Sequence, residues 1–139
     1  MGFGAEPRRE NFSGRHLVAC MPTTDRGEPA IVVGKAYDLV LWLLPKVEKF
    51  PRSYRFSVGD RLVSNSLDLL MVLVEAAYSS DKRTCLEQAN LKSNTLRYLL
   101  RLAKELHLLS ADSYEFAVGK TDEIGRMIGG WRKAKGGRP

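Results

Sequence analysis

Arg97, Arg101 and Lys104 stand at i, i+4 and i+7, the spacing that gathers side chains on one face of an α-helix. Between them, Leu96, Leu99, Leu100 and Ala103 share another face. One helix bearing an apolar stripe and a basic stripe would bury the first in a core and offer the second to an anionic partner such as phosphate. Lys92 precedes the stripe, and Arg52, Arg55 and Arg61 gather where a second helix should begin, so the seven cations could join into one positive surface. Tyr54, Phe56 and Tyr98 are interleaved with them and could stack on bases. Taken singly, the basic trio equally suits a solvated face, and each aromatic a core position.

Other chemistries find little to stand on. Cys20 and Cys85 are far apart and form no CxxC or Cys/His pattern, which leaves no metal site and two reduced thiols as the expectation. There is no nucleophile elbow, P-loop or metal-ligand helix motif, and no cofactor is implied. Asp68 and Glu75 lie seven apart on one helix face and read as neutralising neighbouring arginines rather than as an acid/base pair. An arginine followed by a histidine on a helix occurs in small helical ribonucleases, and Arg101 with His107 has that order. Leu102 stands where those enzymes carry a polar residue, however, and six residues on an ideal helix separate the two side chains by about 120°. His107 reads instead as a helix C-terminal residue meeting free carbonyls, and no catalytic residue is assigned.

The elements that must position the cations follow from the apolar period. The chain has 139 residues, enough for one domain with a substantial core. Its formal charge is +6, and residues 1–29 hold four basic and four acidic side chains, so the whole excess lies beyond them. That balance favours anionic partners. The purely apolar runs, 39–44 and 69–74, are too short to cross a bilayer, and the amino terminus has no apolar stretch of secretory length. A cytoplasmic protein is expected, with no membrane partner.

Residues 1–29 mix Gly, Pro, Arg, Glu and Thr without period and read as a flexible N-terminal arm. A first helix is predicted over 30–50 on Val32, Ala36, Leu39, Val40, Leu43, Leu44 and Val47, closed by the Phe50-Pro51 step. A second over about 55–79 has Val58, Leu62, Val63, Leu67, Leu70, Leu73, Val74 and Ala77 as its buried stripe. The third runs over about 84–107, with Thr84 as N-cap and Glu87 completing a capping box. Ser110 or Asp112 opens the fourth, which buries Phe116, Ala117, Ile124, Met127, Ile128 and Trp131. Trp42 and Trp131 are expected in the core or at a subunit contact. Gly125 and Gly129 weaken that helix unless another helix approaches closely or its end frays. Four helices joined by short turns make an all-α, antiparallel up-and-down four-helix bundle over 30–134, with a basic tail at 135–139.

Leu44-Pro45, Phe50-Pro51-Arg52, the run from Leu96 to Arg101 and the run from Glu123 to Trp131 occur in an order and spacing that resemble the accessory variability determinant of diversity-generating retroelements. The resemblance spans about 30–134 and implies a basic, non-enzymatic four-helix bundle. It further implies a homopentamer that binds the retroelement reverse transcriptase together with template RNA and cDNA, supporting mutagenic retrohoming and diversification of a target gene. Arg97 and Arg101 are the contact residues carried over by the motif. A four-helix family encoded in intervening sequences of ribosomal RNA genes shares the Phe-Pro step and is the main alternative, followed by a generic nucleic-acid-binding helical module.

Overall fold

The computed structural model describes residues 27–135. Four long helices account for most of them: α1 (Gly27–Glu48), α2 (Asp60–Tyr78), α3 (Lys82–Glu105) and α4 (Ala111–Lys135). Each packs on its neighbours in sequence, and α1 closes the ring against α4, the arrangement of an antiparallel four-helix bundle. The arm predicted at the amino terminus falls, up to residue 26, outside the described residues, as do 136–139 of the basic tail. Among the described residues there is no helix long and apolar enough to cross a membrane.

Apolar side chains recurring every three to four residues bury one stripe from each helix. Val32, Leu39 and Leu43 from α1, Leu62, Leu69 and Leu73 from α2, Leu86, Leu96 and Leu100 from α3, and Ile124, Ile128 and Trp131 from α4 form one contiguous core. Trp131 is 1% exposed, while Trp42 is half-buried and tilts against Phe116 of α4 with ring centroids 5.1 Å apart. Four expected core residues lie outside this core: Leu44, Leu67, Val74 and Phe116 are exposed. They sit at the margins of stripes whose centres are already filled, a distinction that the period of the sequence does not resolve.

The turns differ from expectation in detail. α2 does not begin as a regular helix at Arg55, because a short helical turn (Arg52–Tyr54) and a π-helical turn (Arg55–Gly59) precede it. Gly59 makes that entry possible: a Cβ there would stand 2.8 Å from Val47 Cγ1 of α1. Between α2 and α3 the N-cap is Asp81 rather than Thr84; its carboxylate accepts from the Thr84 N–H at 3.4 Å. The carboxylate satisfies the orphan N–H of Thr84 at the third position of the helix, and Glu87 pairs with Arg83 instead of completing a capping box, at 3.7 Å. The Lys82 ammonium reaches back to the carbonyls of Ala76, Ala77 and Ser79 and so covers the open C-terminus of α2. Ser110 caps α4, accepting from the Ser113 N–H at 3.1 Å.

α3 ends in a reverse turn whose pivot is His107, at φ 62°. The His107 N–H donates to Lys104 O and the Leu108 N–H to Ala103 O, both at distances below 3.0 Å. This is a Schellman closure with histidine in the left-handed position usually held by glycine. Helix α3 stops at Glu105, so Arg101 and His107 do not share a helix, and His107 meets the helix carbonyls through its backbone N–H.

Candidate nucleic-acid interface

Burial of Leu96, Leu100 and Ala103 fixes the rotation of α3 and turns a polar ridge outward on its α4-facing side. The ridge runs Asn90, Asn94, Arg97, Arg101, Lys104, continuing the predicted i, i+4, i+7 stripe backwards by two asparagines. Two contacts with α4 establish which side this is. Arg97 Nη1 donates to Asp122 Oδ1 at 3.1 Å, and the Lys104 ammonium lies 5.1 Å from the centre of the Tyr114 ring. Arg97 Nη2 also donates to Asn94 Oδ1 at 2.6 Å, which fixes the guanidinium in a half-buried position.

Arg101 and Lys104 are exposed, and among the described residues Arg101 has no ion pair. Tyr98, beside them, is 71% exposed. Arg101 and Lys104 form the solvent-facing end of the ridge, with the Tyr98 ring on its flank. Arg126 of α4 is exposed next to Arg97 and Asp122 and extends the basic surface across the helix boundary. Sequence reading passed over Arg126 because its partner on the ridge is 29 positions upstream. Its spacing of four from Asp122 was the only available signal.

The remaining predicted cations are dispersed. Lys92 is on the flank of α3 that faces α2, where its ammonium pairs with Asp68 at 3.5 Å, so Asp68 neutralises a lysine rather than an arginine. Arg52, Arg55 and Arg61 lie where α1 passes into α2, at the end of the bundle where α3 also finishes. Arg52 and Arg61 are exposed, whereas Arg55 is half-buried over the Phe56 ring, with its Nε enclosed and lacking a hydrogen bond among the described residues. Phe56 itself is 64% exposed and Tyr54 is half-buried. There are therefore two basic patches, one along the α3–α4 seam and one at the α1–α2 corner.

Gly125 lets α4 lie close to this seam. A Cβ at that position would stand 3.3 Å from Ser93 Oγ and 3.6 Å from Arg97 Nη1, whereas one at Gly129 would meet nothing within 4 Å. Close approach accounts for the first glycine and not for the second. Cys85 is a free thiol, and burial, reinforced by the Glu75 carboxylate, pushes it above the usual thiol range, so it stays protonated in the core. Among the described residues no three His, Cys, Asp or Glu side chains come together as a metal site.

Comparison with curated proteins and with solved structures returns no match. A family model, described as bAvd-like, matches residues 30–135, which is the whole four-helix unit apart from the first three residues of α1. The helix order and that match agree with the resemblance read from the motifs, and the chain belongs to the bAvd-like family of accessory variability determinant-like proteins.

Proposed function

We propose that this chain is a non-enzymatic accessory protein that holds a retroelement reverse transcriptase together with its template RNA and cDNA, in support of mutagenic retrohoming and target-gene diversification. Membership in the bAvd-like family supports the retroelement setting. The observation that carries the nucleic-acid part is the exposed run Tyr98, Arg101 and Lys104: two cations and a ring on one rigid helix, with the guanidinium of Arg101 unpaired among the described residues. Arg97 and Lys92 act in reserve, because each already pairs with a carboxylate. Arg52, Arg55 and Arg61 form a second contact at the bundle corner, where Phe56 adds a stacking face.

Self-association, as a homopentamer, belongs to the same proposal. Leu67, Met71, Val74 and Tyr78 recur at i, i+4, i+7 and i+11 and are all exposed, an unbroken apolar stripe on the outer face of α2. Contiguous exposed apolar surface of this kind marks a protein interface.

Replacing Arg101 and Lys104 by Ala tests the nucleic-acid reading. Single-stranded RNA affinity should fall, and the slope of log affinity against log salt should decrease by about 1.4, since each neutralised phosphate contributes about 0.7. Helicity by circular dichroism should remain. Unchanged affinity and slope in a folded double variant would remove this surface from the interface.

A further inference from the structure

Between α3 and α4 an open cleft of about 350 Å3 is lined by Asn90, Asn94, Arg97, Asp122, Gly125 and Arg126. Its chemistry is unlike that of a solvated charge face. Arg97 is held from two sides, by Asn94 Oδ1 and Asp122 Oδ1, and is already largely neutralised. Asn94 uses its carbonyl oxygen in that contact and keeps its NH2 to donate. Asn90 is half-buried and, with no hydrogen bond among the described residues, has a complete carboxamide to offer, one donor side and one acceptor side. Arg126 stands exposed at the rim. The absence of a side chain at Gly125 keeps the cleft open above Ser93, whose hydroxyl is buried and has no hydrogen-bond partner among the described residues.

A ligand suited to this lining brings a neutral edge with a donor beside an acceptor, and a negative charge a few ångströms away. A nucleotide has both. Building on the nucleic-acid reading above, we propose that the cleft takes up one unpaired nucleotide of single-stranded RNA, with its base edge on the Asn90 carboxamide and its phosphate on Arg126, and that adenine is the favoured base. Adenine alone presents a donor beside an acceptor on both its Watson–Crick and its Hoogsteen edge. After Asn90 pairs along one edge, the other still offers a ring nitrogen to the NH2 of Asn94. The fixed guanidinium of Arg97 supplies a flat face on which the base can rest. The exposed ridge would then provide salt-dependent, sequence-independent affinity, and the cleft a base preference on the same seam.

The experiment is a fluorescence-anisotropy titration of the full chain with ten-nucleotide A, C and U homopolymers of RNA at fixed salt. The A oligomer should bind about 5-fold or more tightly than the other two. Asn90→Ala should bring all three to one affinity and leave the salt slope unchanged. Asn90→Leu, which keeps about the same bulk but removes both the donor and the acceptor without adding charge, should do the same and decides the matter if the alanine variant does not fold. Arg126→Ala should weaken all three alike and lower the slope by about 0.7. Equal binding of the three oligomers by the unaltered chain, or a preference that survives both Asn90 variants, would overturn the base-reading cleft while leaving the basic interface standing. Failure of the unaltered chain to bind any oligomer would overturn both.

Discussion

Arg97 bears a charge that its surroundings largely offset. The sequence places it correctly on the polar face of α3, but the carboxylate that pairs with it arrives from Asp122, 25 residues later, on another helix. A single helical stripe cannot display that pairing, which is why Arg97 and Arg101 look equivalent in sequence and differ in structure. Asp122→Asn should therefore release Arg97 for phosphate and tighten single-stranded RNA binding by about 5-fold, the equivalent of about 1 kcal/mol for one partly exposed pair. Anisotropy titration at low salt checks this, and an unchanged affinity would mean that Arg97 does not reach the RNA. His107 offers a second test at the same scale. A non-glycine residue in the left-handed region costs about 1 kcal/mol, so His107→Gly should raise the melting temperature by about 4 °C, read by circular dichroism. RNA binding should not move with it.

At the scale of elements, the four helices were legible because each long segment keeps one apolar period and is bounded by a recognisable turn: Phe50-Pro51, Ser79 to Asp81, and Ser110. What escaped the period was the entry to α2. The π-helical turn depends on Gly59 fitting under Val47, a contact between segments that local pattern does not encode. The glycines of this chain thus have opposite consequences. Gly59→Ala should destabilise by about 1–3 kcal/mol, because the new methyl would overlap a buried valine. Gly129→Ala, with open space around the added carbon, should stabilise by about 1 kcal/mol through helix propensity alone. Urea unfolding of the two variants would show midpoints displaced in opposite directions. A stabilising Gly59→Ala would mean that the junction relaxes more freely than its packing implies.

The molecule as a whole presents two kinds of unsatisfied surface, a basic seam on α3 and α4 and an apolar stripe on α2. The sequence revealed the charge excess and its location beyond residue 29, but it assigned Leu67 and Val74 to the core, because a helix with apolar residues on more than half its circumference gives no sign of which margin stays exposed. If that margin is covered by other copies of the chain, Met71→Glu should break the assembly without unfolding the protomer. Met71 is 63% exposed, so the carboxylate meets water in the monomer and an apolar neighbour only in the oligomer. Sedimentation of the folded variant would show one protomer mass.

A polymerase accessory and a free-standing helical domain differ in the solution mass of the full chain, measured by light scattering at low and high salt, alone and with the retroelement reverse transcriptase. An accessory protein should form a ring-sized oligomer that persists in salt and gains the mass of the polymerase, with the gain shrinking as salt rises. A salt-insensitive monomer that leaves the polymerase unbound would contradict the accessory role.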